Sequence, residues 1–201
     1  VGLVALMRGS AEEAVGVFDR LLVLCRTHDL DAYVSRLMAG LGWAKARSGQ
    51  VAEGLILLEQ AVALNASAEP RTTHTLALTA LAEAYLLAGD LPKAVTTADE
   101  AIRQARRHEE RGGEAYACWV LATAQSAGAG HLESADESFK AARAIAIELR
   151  LQPLLAHCHL GLGDLCQRRG DQTEANAHWE RGSHLCEALQ MRPWIPTRVA
   201  G

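Results

Sequence analysis

The sequence predicts an all-α fold, a right-handed α-solenoid of about five helix-turn-helix repeats with the first repeat truncated. Three observations predict it. A glycine returns at Gly9, Gly49, Gly89, Gly130 and Gly170, at intervals of 40, 40, 41 and 40 residues. A small residue follows each glycine by five positions, at Ala14, Gly54, Ala94, Ala135 and Ala175, and Leu21, Ala61, Ala101, Ala142 and Gly182 follow by twelve. Hydrophobic residues make up 49% of the 201 residues and aromatics only 4%, so the core is built mainly from Ala, Leu and Val. That composition suits closely packed helices and disfavours a β-sandwich.

The period divides residues 1–190 into one solenoid with units of about 1–28, 29–68, 69–110, 111–151 and 152–190. In this register Val1 aligns with Leu41 and Leu81, midway along a first helix. The chain also lacks an initiator Met, and it reads as a fragment whose further domains are expected upstream of Val1. In the second unit the spacing predicts a first helix over 31–48, with Leu37, Leu41 and Ala44 on one stripe. Gly49 closes it as a left-handed C′ residue, and a second helix over 51–64 turns Leu55, Leu58, Ala61 and Val62 inward.

The third unit is expected to run as helices over 70–88 and 91–110, with Pro70 and Pro92 in their first turns and Gly89-Asp90 between them. Gly112-Gly113 is expected to precede the first helix of the fourth unit. The turn Gly128-Ala129-Gly130 holds one extra residue, which accounts for the interval of 41, and a helix over 132–150 follows. The fifth unit starts at Pro153, turns at Gly170-Asp171 and ends near Leu189. Residues 191–201 form an irregular tail, because Pro193 and Pro196 cannot continue a helix.

Small residues recur at Gly42, Ala82, Ala122 and Gly163 on the first helices, where they let a partner helix approach closely. Phe18, Leu58, Ala98, Phe139 and Trp179 stand opposite and fill the space. A large side chain at Ala94 or Ala135 is expected to overpack the contact at a cost of about 1–3 kcal/mol.

The order Leu81, Ala82, Tyr85, Gly89, Ala94, Ala101, and again Leu162, Gly163, Gly170, Ala175, Trp179, resembles the tetratricopeptide repeat (TPR) over nearly the whole chain. The chain departs from that family in its longer period, in Cys166 where the family carries Tyr, and in Gly182 where it carries Ala. The period of about 40 is similar to a long-helix subgroup of bacterial signalling proteins. The run Pro153 to Asp164, with Arg169-Gly-Asp171 and Met191-Arg-Pro-Trp194, resembles the C-terminal end of large bacterial regulators. Those carry an ATPase module ahead of the repeats, often with an adenylate cyclase or a DNA-binding domain. This resemblance implies a sensor arm.

The family's register implies which first-helix side chains face the concave groove. They are Arg36, Trp43 and Arg47 in the second unit, and Thr79, Glu83 and Leu87 in the third. In the fourth they are Tyr116, Trp119 and Thr123, and in the fifth His157, Asp164 and Arg168. Aromatics and Arg are the residue types enriched at binding hot spots. The competing reading is that Trp43 and Trp119 pack between units. The chaperone-tail clamp of some relatives needs Lys and Asn where this chain has Ala39, Trp43, Thr79 and Glu83, so that function is not expected.

Other chemistries find little support. The chain has no G-x-x-x-x-G-K-[ST] loop, and Gly161-Leu-Gly163 falls mid-helix with no strand before it. His157, Cys158, His159 and Cys166, with His178, His184 and Cys186, invite a metal reading. No pair among them has the i, i+4 spacing of a helical zinc site, so no metal and no cofactor are expected. Acidic groups such as Glu12/Glu13 and Glu133/Asp136/Glu137 read as solvated faces and helix ends. The formal net charge is −4, and Arg103, Arg106 and Arg107 are followed at once by Glu109 and Glu110, so nucleic-acid binding is disfavoured. Five cysteines without paired spacing read as free thiols in a reducing, cytoplasmic setting. No apolar stretch reaches the roughly 18 residues of a membrane span.

The expected function is a non-catalytic regulatory scaffold that docks a protein segment, or another domain of the same protein, in the groove. A groove site for a small molecule (a sugar, peptide or metabolite) and an oligomerisation arm are the alternatives.

Overall fold

The computed structural model describes residues 2–66, 74–128 and 131–192. Ten α-helices follow one another: α1 (Gly2–Met7), α2 (Ala11–Thr27), α3 (Asp31–Arg47), α4 (Val51–Ala66), α5 (His74–Leu87), α6 (Leu91–Arg107), α7 (Arg111–Ala127), α8 (Leu132–Glu148), α9 (Gln152–Arg168) and α10 (Gln172–Ala188). There is no strand among the described residues. Each odd-numbered helix pairs with the next even one, and the odd helices also touch one another in series, α1 on α3, α3 on α5, α5 on α7 and α7 on α9. That stacking is the solenoid, and it puts the first helix of every pair on one shared face.

Local chemistry sets the helix ends. Gly9, Gly49, Gly89 and Gly170 all adopt positive φ, between 79° and 91°, where glycine pays no Cβ penalty. Asp90 caps α6 by accepting from the Lys93 N–H at 3.2 Å, and Asp171 caps α10 by accepting from Glu174 N–H at 3.0 Å. The junctions between pairs use a different device. Asp29, Glu109 and Arg150 at the junctions, and Gln190 just after α10, sit at φ 52–55° without being glycine. The N–H of the residue after each then reaches back to a helix carbonyl, as in Glu110 to Ala105 O at 2.8 Å and Leu151 to Ala146 O at 2.8 Å.

These left-handed residues correct two expected boundaries. α6 stops at Arg107 rather than 110 and α8 at Glu148 rather than 150, because Glu109 and Arg150 have already left the helix. A third correction concerns Gly112-Gly113, which lies inside the first turn of α7 instead of before it. A Cβ on Gly113 would meet Thr75 Cγ2 at 2.9 Å, so the missing side chain is what lets α7 approach α5. The expected positions of Pro70, Ala129, Gly130, Pro193, Trp194 and Pro196 lie outside the described residues.

Close approach explains the small-residue register. On Gly54 a Cβ would stand 2.6 Å from Gly42 O, a backbone atom that has nowhere to go. The Phe139 ring lies on Gly161 and Trp179 on Gly163, where added Cβ atoms would come within 2.5 Å of ring atoms. Ala94 and Ala135 are fully buried. The core runs along the array as two large clusters, one over α1–α5 and one continuing to α9.

The array curls enough for its ends to meet. The Arg192 backbone N–H donates to Arg8 O at 3.1 Å. Tyr116 on α7 donates its hydroxyl to Met7 Sδ of α1 at 3.1 Å. Leu3, Val4 and Met7 share a surface recess with Pro153, Leu189 and Met191, so the edge of the first unit lies beside the last.

Candidate functional site

Trp43, Arg47 and Glu83 come together as one buried network at the base of the groove. Trp43 Nε1 donates to Glu83 Oε2 at 2.9 Å. Arg47 approaches the same carboxylate as a fork, Nε to Oε1 at 2.7 Å and Nη2 to Oε2 at 3.0 Å, and donates Nη1 to Leu6 O at 3.3 Å. The guanidinium also lies 4.7 Å from the Trp43 ring centroid. Glu83 is fully buried. The bidentate geometry is what makes such a burial tolerable. These three side chains join α1, α3 and α5, and their polar atoms face one another.

The other candidates spread out. Thr79 and Thr123 are buried and turn their hydroxyls onto their own helices, to Thr75 O and Trp119 O, both at 2.8 Å. Trp119 is buried in the core with its ring 5.4 Å from that of His157, which is also buried. Asp164 accepts from Trp179 Nε1 at 2.9 Å. Arg168 donates to Ser126 Oγ at 3.3 Å, and Arg36 is exposed on α3. Tyr116 is enclosed, and burial pushes its hydroxyl up to about 12.

A cavity of about 400 Å3 lies between the odd-numbered helices and includes Trp43, Thr79 and Tyr116 in its lining. Leu3, Met7, Leu76 and Leu151 complete its apolar wall, and Glu110 stands among the polar lining residues. Thr75 lines it too, and its buried Oγ1 has no hydrogen-bond partner among the described residues. Sequence reasoning passed over Leu3, Met7, Thr75 and Leu76. The period held a signal for three of them: Leu3 and Met7 stand 40 positions before Trp43 and Arg47, and Leu76 stands 40 before Tyr116. Thr75 had none, because the residue 40 positions on is Ala115.

Among the described residues no group of three or more His, Cys, Asp or Glu is placed to hold a metal ion. All five cysteines are free, and burial pushes the thiols of Cys118 to about 11 and Cys158 to about 12, away from the nucleophilic thiolate. No helix among the described residues is long and apolar enough to cross a membrane.

No family model and no curated protein matches the chain. Solved structures do. A Podosopora anserina kinesin light chain-like protein with nearly identical TPR-like repeats is 22% identical over 94% of this chain and 92% of its own, with a TM-score of 0.62. BtubC (BKLC) from P. vanneervenii is 17% identical, matches 100% of this chain and 82% of its own, and has a TM-score of 0.65. MamA MSR-1 is 21% identical over 93% of each chain at a TM-score of 0.52. These likenesses show the fold, a TPR-like helical-repeat solenoid.

Proposed function

We propose that the chain is a non-catalytic binding module whose concave cavity receives one bulky apolar side chain of a protein segment. The cavity carries this reading. It is walled mainly by aliphatic and aromatic side chains, with Glu110 the one carboxylate in its lining, while Arg47 and Glu83 nearby are bound to each other. An apolar anchor in a desolvated pocket is the usual centre of a protein interface.

The test is a peptide-display selection against the protein, followed by binding to Gly112→Phe. Gly112 lines the cavity and a Cβ there meets nothing within 4 Å, so this variant adds bulk beside the cavity without crowding the helices at Cβ. Selected peptides should share one aromatic or large aliphatic residue and bind the variant at least tenfold more weakly. Equal binding to both proteins sinks the reading.

The unpaired Thr75 hydroxyl favours a second reading, in which the ligand is a small molecule that is mostly apolar and brings one hydrogen-bonding group. A volume of about 400 Å3 lies in the range of small-molecule sites. A metabolite screen that shifts the melting temperature of the wild type and not of Gly112→Phe would separate it from the first. Self-association as an oligomerisation arm is the third reading, and sedimentation of the purified chain tests it.

The module is further proposed to be the regulatory arm of a larger bacterial ATPase-containing regulator, working in the cytoplasm. The likeness of 153–164 to such proteins and the free thiols support this. The coding sequence upstream of Val1 tests it: an ATPase motif sustains the proposal, and an adaptor without one overturns it.

A further inference from the structure

His159 on α9 and His178 on α10 face each other with their Nδ1 atoms 2.9 Å apart. Their ring centroids are 5.1 Å apart at 39°. At that distance one nitrogen carries the proton and the other accepts it. His178 is buried, and its Nε2 lies 4.0 Å from Glu174 Oε2. His159 is half-buried and borders a surface recess shared with Glu180, Arg181 and His184. Two facing imidazoles also invite a metal ion. Here no third ligand completes a set among the described residues, and Arg143 of α8 and Arg181 of α10 act on both rings with positive charge.

We propose that this pair is an acid-opened clasp between the two helices of the last pair. With both rings neutral, a single Nδ1–H bridges them. The first added proton goes to the Nε2 of the ring that donates, and the bridge survives. Glu174 makes His178 that ring. A second proton has only Nδ1 of His159 to occupy. Two N–H groups then point at each other across the joint, and the clasp opens.

The surroundings set the direction. Burial, the partner ring, Arg143 and Arg181 hold His159 at about 4, well below its ordinary 6.5. Burial and Arg143 lower His178 as well, with Arg181 acting the same way and Glu174 and Asp136 opposing. A histidine depressed in the folded state favours folding most above its unfolded value. Its contribution therefore drains as pH falls from about 6.5 toward 4.

What the clasp governs follows from the curl of the array. Beyond α10, Met191 packs with Ala156, Leu160 and Cys186, and Arg192 donates to Arg8 O at the other end. Loosening α10 releases that end-to-end contact, and with it one support of α1, which walls the cavity. This holds whatever the cavity binds.

The experiment is hydrogen exchange of α10 amides between pH 7.5 and 5, corrected for intrinsic exchange, in the wild type and in His159→Asn. Asn keeps a hydrogen-bonding group near the position of Nδ1 and does not titrate. Protection of α10 should fall several-fold with acid in the wild type, below the one-proton limit of about tenfold per pH unit. The fall should be clearly shallower in the variant, where only His178 still titrates, and α4 should stay level in both proteins. Identical pH profiles for α10 in the two proteins overturn the clasp. An NMR titration of the wild-type imidazoles needs no variant, and a His159 that titrates at or above 6.5 in the folded chain overturns it as well.

Discussion

The two halves of the array use one register position in opposite ways. Trp43, Glu83, Thr123 and Asp164 are the same place in successive first helices. In the first half, Trp43 donates to Glu83 of the next unit, and Glu83 takes the fork of Arg47 back in the unit before. In the second half, Thr123 bonds its own helix and Asp164 bonds Trp179 within its own pair. The period decides where a side chain sits. The residue one period away decides whether it becomes a strut between units or a detail of one.

Substitutions in each half test this contrast. Glu83→Ala leaves the Arg47 guanidinium buried without its carboxylate, and urea unfolding should show a loss of about 3–5 kcal/mol. The double variant Arg47→Met/Glu83→Leu removes both charges and should recover most of that loss, since the pair itself contributes little net stability. If the single variant costs under about 1 kcal/mol, the strut is no more than a surface pair. Next comes packing. Gly54→Ala drives a Cβ into Gly42 O and should cost about 1–3 kcal/mol, more than Gly161→Ala, where the Phe139 ring can shift. Equal costs would erase the distinction between backbone and side-chain contact.

Asp164→Ala removes a hydrogen bond inside one pair, and thermal unfolding should register about 1 kcal/mol, well short of Glu83→Ala. The smallest effect is a gain. Arg150→Gly relieves a left-handed non-glycine residue and should stabilise by about 0.5–1 kcal/mol, where a glycine junction of the Gly89 type offers no such gain. A destabilised Arg150→Gly would show that the Arg side chain does more at this junction than its backbone strain costs.

Much of the fold was legible because its signals are local. The left-handed Gly9, Gly49, Gly89 and Gly170 and the small residues at fixed offsets from them mark turns and close crossings without any knowledge of the partner helix. The junctions at Glu109 and Arg150 were not legible, since a charged residue in the left-handed region carries no mark in the sequence. The groove was legible as a face and not as a site. Trp43, Thr79 and Tyr116 line the cavity, whereas Trp119, Thr123 and His157 are packed into the interior. Equivalent positions, Trp43 and Thr123, Thr79 and Trp119, Tyr116 and His157, met different neighbours.

The helices, their pairing and the close crossings at Gly54, Ala94 and Ala135 can be read from residue order alone. All of these follow from periodicity and side-chain size within about 40 residues. Tertiary packing alone brought Arg47 onto Glu83, Met7 to Tyr116 across 109 positions, Arg192 to Arg8, and the Nδ1 atoms of His159 and His178 within 2.9 Å of each other. The end-to-end contacts depend on the angle between successive pairs, summed along the array. The ion pair and the histidine clasp depend on which side chain a packed neighbour presents. Neither is encoded by any one stretch of the chain.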